Sequence, residues 1–548
     1  MLDILILLAA LALLCAPGIL VWSAYHPEGD RVETWTWGAT AGLAAAVLLA
    51  FYVSLVRLSW FWPAWAACGL AALAAHSLHR PPARRNGERS VLLILALVAT
   101  SRFLPVLFQA APLGWDPAFH LLLARKLLLL DHSFSDWTPF APVALNYPLG
   151  SHVLVVVLTR LTHLSLHRVF QLLMPALGVL STAQIYCLTR ALFSSDDAAS
   201  YAAIAYGFWA YLGSIGYYVW GGLPNELGMA FLIAAIAILL QRDWTRISVA
   251  FCAMFLAGAV VVHHHVTLVA GLVVLIALIW RKSTGFDIRR PLAAVALLAA
   301  LAAPVWLGLA ARALTLAQTN VLHNKETYTL AGLTTDLGIL LVAFALAGMV
   351  LLWRTQRKSA AFLPAICAML AAGYLVCGPL YRAYSEYRFG QPFVSFAPSR
   401  FITDLAYFLS VFAGYAMWRC QTSLGLSHRK AVCAALALAL TKVPQWRNLY
   451  VAGPSAGQWR AYQWIDQNTL PGAIVDNRDP WAGYVTWRQT TQPPLPDSEP
   501  VPPELTIAPG DPVYSLAAPG GRISNGQVVW TDASGWSVID LSKRAATR

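Results

Sequence analysis

Apolar runs of about 20 residues recur along almost the whole chain, and short clusters of Lys and Arg punctuate them. That run length is what a ~30 Å hydrocarbon layer requires of an α-helix. The pattern predicts an all-α polytopic membrane protein. Spans are expected at 2–24, 37–56, 60–78, 90–109, 168–191, 198–216, 226–240, 246–262, 265–280, 291–311, 336–353, 359–377, 402–418 and 428–442, about 14 transmembrane helices. Composition agrees. Charged residues make up 12% of the chain, about half of what a soluble domain carries (~25%). The first run, ending in "CAPGILVWSAY", has no basic region before it and reads as a retained span, not a signal peptide. The eight cysteines lie in or near apolar spans and none has zinc-site spacing.

The net charge of +12 bears on topology and not on nucleic acid, because the basic residues sit in short clusters between spans. "HRPPARRNGER" (79–89), "QRDWTR" (241–246), "RKSTGFDIRR" (281–290) and "RTQRKS" (354–359) can all lie on one side, the cytoplasm. This works only if "SHVLVVVLTRLTHLSL" (151–166) does not cross. It is short, carries His152, Arg160 and His163, and suits an interfacial helix. The polar segments then gather on the opposite, external face: 110–167, 217–226, 263–265, 312–335, 378–401 and the tail. The tail, 443–548, reads as a small external α/β domain. It holds a helix over 457–467, strands in "GAIV" (472–475), "PVYSLAAP" and "GWSVIDL", and a proline-dense surface loop, "TQPPLPDSEPVPPE".

Candidate site residues fall in the external segments. In "LGWDPAFHLLLARKLL" (113–128), Gly114 and Pro117 mark a turn, and a helix is expected from Asp116 or Pro117. Asp116 suits a helix cap. It equally suits a carboxylate that takes a proton from an acceptor hydroxyl or holds a cation. His120 lies one turn on, placed to orient Asp116 or to bind phosphate. Arg125 and Lys126 stand where basic residues should be depleted; lipid headgroups or an anionic lipid-linked substrate would explain them. In "YYVWGGLPNE" (217–226), Asn225 is expected to cap a helix with Glu226 in its first turn. Tyr218 and its aromatic neighbours suit an interfacial belt or stacking on a sugar ring. His263, His264 and His265 cannot all reach one metal from a regular helix, since successive residues point about 100° apart. His265 with Asp116 or Glu226 is the candidate set for a divalent cation, and no other cofactor is expected. Arg388 and Arg400 carry guanidinium groups suited to a phosphate; for Arg400, a salt bridge to Asp404 one turn later is the other role open.

The order of these segments resembles the GT-C superfamily of membrane glycosyltransferases: oligosaccharyltransferase catalytic subunits, protein mannosyltransferases and aminoarabinose transferases. The resemblance runs through "YPLGSHVLVVVLTRLT", "IYCLTRALF", "YYVWGGLPNE" and "PSRFITDLAYFLSVFAGYA", over roughly residues 90–480. It implies that Asp116 is the catalytic carboxylate, that 147–150 opens the interfacial helix, and that Arg400 contacts the donor phosphate. It implies an enzyme moving a sugar from a polyprenyl-phosphate or polyprenyl-diphosphate donor to a hydroxyl on a glycan, glycolipid or protein acceptor. The implied setting is a bacterial-type plasma membrane, with the site and tail on the extracytoplasmic side. The chain departs from the pattern in placing four spans before Asp116 and in lacking a DxD or ExD string in 110–150. The expected organisation is N-terminal spans (1–109), a catalytic loop with its interfacial helix (110–167), a transmembrane core (168–442) and the external domain (443–548). A transporter or flippase of an anionic lipid-linked substrate is the alternative.

Overall fold

The computed structural model describes residues 1–26, 30–79, 89–114, 116–140, 145, 147–210, 221–305, 307, 337–355, 361–377, 398–440, 453–470, 472–476, 480–490, 511–521 and 526–542. The chain is an all-α helical bundle followed by a small sheet domain. Helices coincide with the expected spans to within a few residues wherever the chain is described. Among the described residues six are long and apolar enough to cross a membrane: Leu2–Tyr25, Arg31–Ser54, Leu58–His79, Leu166–Phe193, His264–Ser283 and Arg400–Ser423. The shorter apolar helices include Ser90–Val106, Leu223–Leu239, Arg246–Val262 and Ile339–Thr355.

The first two helices, α1 (Leu2–Tyr25) and α2 (Arg31–Ser54), form the closest seam. Gly38 and Gly42, four residues apart, face Gly18, and a methyl group added at Gly18 would strike the Gly42 and Gly38 backbone. Lipid tails are as apolar as Leu, so close backbone approach and dispersion hold helices together here. α2 also begins cleanly, with Asp30 accepting a hydrogen bond from the Glu33 amide at 2.7 Å.

Two short helices lie between the spans. Asp116–Leu130 has 15 residues and Gly150–Thr162 has 13. The second is about 20 Å long, short of a ~30 Å hydrocarbon layer. Its first nine residues, Gly150 to Leu158, are buried, so protein surrounds them. Gly150 abuts the Val261 carbonyl, where any side chain would clash. That contact brings the start of this helix beside the histidines at 263–265.

The tail carries the expected strands. Ile474–Asp476 (β1), Gln489–Thr490 (β2), Val513–Ala517 (β3), Gln527–Thr531 (β4) and Ser537–Asp540 (β5) form a five-stranded sheet of order β2-β1-β3-β5-β4. β1 pairs in parallel with β2 and β3, while β5 pairs antiparallel with β3 and β4. Helix Ala456–Asn468 precedes the sheet, capped by Ser455, whose Oγ accepts from the Gln458 amide. The proline-dense stretch lies outside the described residues.

Candidate active site

Gly114, with a positive φ of 83°, turns the chain into the helix that starts at Asp116. Only glycine adopts that angle without strain. The ring of Pro117 packs directly on Gly221, leaving no room for a side chain there. Asp116, half-buried, therefore sits at a helix start braced from outside. One turn on, His120 Nδ1 lies 3.1 Å from His152 Nε2 of the short buried helix. Tyr147 packs at the centre of four imidazoles. Its ring centroid lies 5.4 Å from His120, 5.7 Å from His152, 5.6 Å from His263 and 5.3 Å from His264.

The three consecutive histidines occupy a helix junction and not one regular helix. Helix Arg246–Val262 ends, His263 is extended, and its side chain caps the next helix, His264–Ser283, by accepting from the His265 amide at 3.1 Å. The junction separates their directions. The His263 and His264 rings stack at 4.7 Å. His265 reaches the other way, its Nε2 2.9 Å from Asp404 Oδ2. Asp404 Oδ1 accepts from Asn225 Nδ2 at 3.0 Å. All three of these side chains are fully buried. Arg400, one turn before Asp404, comes within 3.4 Å of His263 Nε2 through Nη1. Asn225 does not cap its helix as expected. The helix starts at Leu223 with Gly222 as its cap and Pro224 in the first turn, where proline's fixed φ is already helical. Asn225 is thereby freed to orient Asp404.

The electrostatics are lopsided. Burial, then the neighbouring His152, Arg400 and His264, hold the His120 imidazole well below its usual range. Burial pushes His152 down to about 3. Both are neutral at pH 7, so Arg400 supplies the fixed positive charge of this cluster, and it favours an anion.

The other expected site residues are placed as follows. Arg125 donates through Nη1 to the Tyr484 and Val485 carbonyls, at 2.6 and 3.0 Å, and its guanidinium lies 5.0 Å from the Trp487 ring. Lys126 Nζ pairs with Asp136 at 3.0 Å. Hydrogen bonds from Thr138 and, after it, Lys126 hold the Asp136 carboxyl below the usual carboxylate range. Glu226 is fully buried against Gly178, and neither of its oxygens has a hydrogen-bond partner among the described residues. Tyr218 and Arg388 lie outside the described residues. For a divalent cation the fit is poor: no three His, Cys, Asp or Glu side chains among the described residues group as a metal set, and His265 is engaged by Asp404.

Solved structures share this architecture. The oligosaccharyltransferase of Archaeoglobus fulgidus in its apo form superposes with a TM-score of 0.53 at 15% identity, over 73% of this chain and 64% of that one. ArnT from Cupriavidus metallidurans in the apo state gives 0.54 at 13% identity, over 82% and 97%. The chain shares the fold of these two solved structures. The archaeal oligosaccharyltransferase AglB in complex with an inhibitory peptide and a dolichol-phosphate also matches, at 0.50 and 14% identity, over 73% and 64%. This chain thus spans less than two thirds of the archaeal enzyme's length. No protein-family profile matches it, and no curated protein does.

Within this bundle, sequence reasoning missed His152 and Tyr147 as members of the cluster. His152 stands at the head of an apolar run, "HVLVVVL", and Tyr147 before a proline. The available signal was a histidine in an otherwise apolar helix whose shortness already argued that it did not cross.

Proposed function

We propose that this protein is a GT-C-type glycosyltransferase. It moves a sugar from a polyprenyl-phosphate or polyprenyl-diphosphate donor to an acceptor hydroxyl on a glycan, glycolipid or protein at the extracytoplasmic face of a plasma membrane. The observation that carries the reading is convergence. Asp116 opens the helix bearing His120, and His120, Tyr147, His152, His263 and Arg400 meet in one cluster, within a fold that sugar transferases share. The dolichol-phosphate bound to AglB supports a lipid-phosphate donor.

The acceptor oxygen attacks the anomeric carbon as the bond from that carbon to the phosphate oxygen breaks. Asp116 draws the hydroxyl proton. Arg400 offsets the charge that leaves with the phosphate, an interaction stronger in a buried site than in water. Asp404, held by Asn225 and His265, fixes the helix turn that carries Arg400.

The test uses purified protein in nanodiscs and a synthetic panel of polyprenyl-phosphate hexoses and pentoses, reading release of polyprenyl phosphate. Asp116→Asn keeps the shape and can still cap the helix. It should lose at least about 100-fold in rate, with binding of polyprenyl phosphate retained. Activity within a few-fold of wild type removes Asp116 from the mechanism. The transport reading draws on buried Glu226 and Arg102. It predicts that D116N still moves labelled lipid across a vesicle while no sugar is released by either protein.

A further inference from the structure

The stretch of chain that leads into Asp116 is held by side chains from elsewhere. Gln171, in the second turn of helix Leu166–Phe193, is buried. Its Nε2 donates to two carbonyls, Gln109 at 3.2 Å and Ala111 at 3.1 Å. A primary amide nitrogen has two N–H donors, so both are spent on this one segment. The bonds also settle which way the amide faces. Arg168 Nη1 lies 2.9 Å from Gln171 Oε1. A guanidinium can only donate, so the oxygen faces Arg168 and the nitrogen faces the carbonyls. Arg168 is itself aimed from two sides. Nη1 also donates to the Val106 carbonyl at 3.2 Å, and Nε donates to Asp3 Oδ2 at 2.8 Å. Asp3 belongs to the first turn of α1, the earliest of the spans that precede Asp116.

The carbonyls of 106, 109 and 111 are thereby tied to the start of one helix. Beyond them the ring of Pro112 fixes its own φ. Gly114 turns the chain, and its carbonyl accepts from the Trp481 indole at 3.3 Å. Asp116 follows two residues later. A carboxylate that must meet an acceptor hydroxyl depends on this tether, since a misplacement of about 1 Å costs on the order of 100-fold in rate. We propose that Gln171 is a positioning residue for Asp116. Arg168 and Asp3 set the direction of its amide, so that α1 becomes part of the frame of the active site. The inference rests on the glycosyltransferase reading, in which Asp116 draws the acceptor proton, and adds what holds that carboxylate in place. It also gives a use to the spans that precede Asp116. Burial makes the amide consequential, because carbonyls that lose it are left unpaired. The Arg168–Asp3 pair is partly exposed and such pairs contribute little to stability. Its effect is on direction: it holds the guanidinium where Nη1 meets Gln171 Oε1.

Gln171→Glu tests this. Glutamate keeps the length and pairs with Arg168, but has no N–H for the Gln109 and Ala111 carbonyls. With the donor from the panel that wild type turns over, kcat should fall at least about tenfold, with KM for the donor within about threefold. Binding of polyprenyl phosphate should be unchanged. A residue serving stability alone would lower the unfolding temperature and leave kcat of the folded protein as it was, and that result overturns the proposal. A second readout needs no turnover. In nanodiscs, hydrogen exchange of peptides covering 107–117 should quicken at least about tenfold in Gln171→Glu, with peptides from Pro398–Ser423 unchanged. Wild-type exchange over 107–117 overturns the tether. Quickened exchange in a protein whose wild type releases no sugar removes the glycosyltransferase reading instead. Should Gln171→Glu not fold, Gln171→Asn decides. One methylene shorter, its amide cannot span both carbonyls, and kcat and exchange should each change by about threefold or more. Wild-type values in both overturn the positioning role. Asp3→Asn should show a smaller change of the same kind, and wild-type rate and exchange there remove α1 from the frame.

Discussion

Arg400 is the side chain on which the proposed donor contact turns. Asp404, one turn on, accepts from Asn225 and His265, and the guanidinium comes within 3.4 Å of His263. Arg400→Lys keeps the charge and loses the two-pronged geometry that a phosphate oxygen pair matches. Binding of polyprenyl phosphate, followed by native mass spectrometry in nanodiscs, should weaken by roughly tenfold, about 1.4 kcal/mol, with the unfolding temperature unchanged. Wild-type affinity in Arg400→Ala would make the residue a structural neighbour of His263 and nothing more.

At the scale of elements, the helix bearing Asp116 is gripped from both ends by the tail. Near its start, the Trp481 indole donates to the Gly114 carbonyl at 3.3 Å. Further along, Arg125 donates to the last carbonyls of helix Pro480–Thr486, where a cation also meets the negative end of the helix. Arg125→Ala should cost about 1–3 kcal/mol of stability by stranding those carbonyls, seen as a lower unfolding temperature and faster proteolysis of the tail. Binding of polyprenyl phosphate should persist; a loss of binding with stability intact would return Arg125 to the substrate. Elements such as these were legible in the sequence to different degrees. Span positions follow from run length alone, and the helix and strands of the tail from local pattern. The sheet order does not, because the β1–β3 and β3–β5 pairings join residues far apart in the chain. The carboxylate and the arginine of the site could be read from their flanking turns and span boundary. His152 could not, since only packing against the Asp116 helix distinguishes it from a stray polar residue. Asn225 misled for a related reason: its residue type suits a cap, but the cap had already been formed three residues earlier, at Gly222.

For the whole molecule, the arrangement of sides is a single proposition with many dependants. If 79–89 and 281–290 face the cytoplasm and the short helix Gly150–Thr162 does not cross, then 443–548 is external. An impermeant thiol reagent on intact cells should label Ser455→Cys and spare Ser283→Cys. The opposite pattern would invert every side assignment. The contact at Arg125 then has a consequence for biogenesis. The guanidinium emerges early in translation, but the carbonyls it binds belong to residues about 360 positions later. Until the ribosome has delivered that stretch, the helix that presents Asp116 lacks its final support. A chain stalled before the tail is therefore inserted but unfinished, with Arg125 lacking the carbonyls it binds and the Asp116 helix unbraced. The support at Arg125 arrives only with the last fifth of the polypeptide.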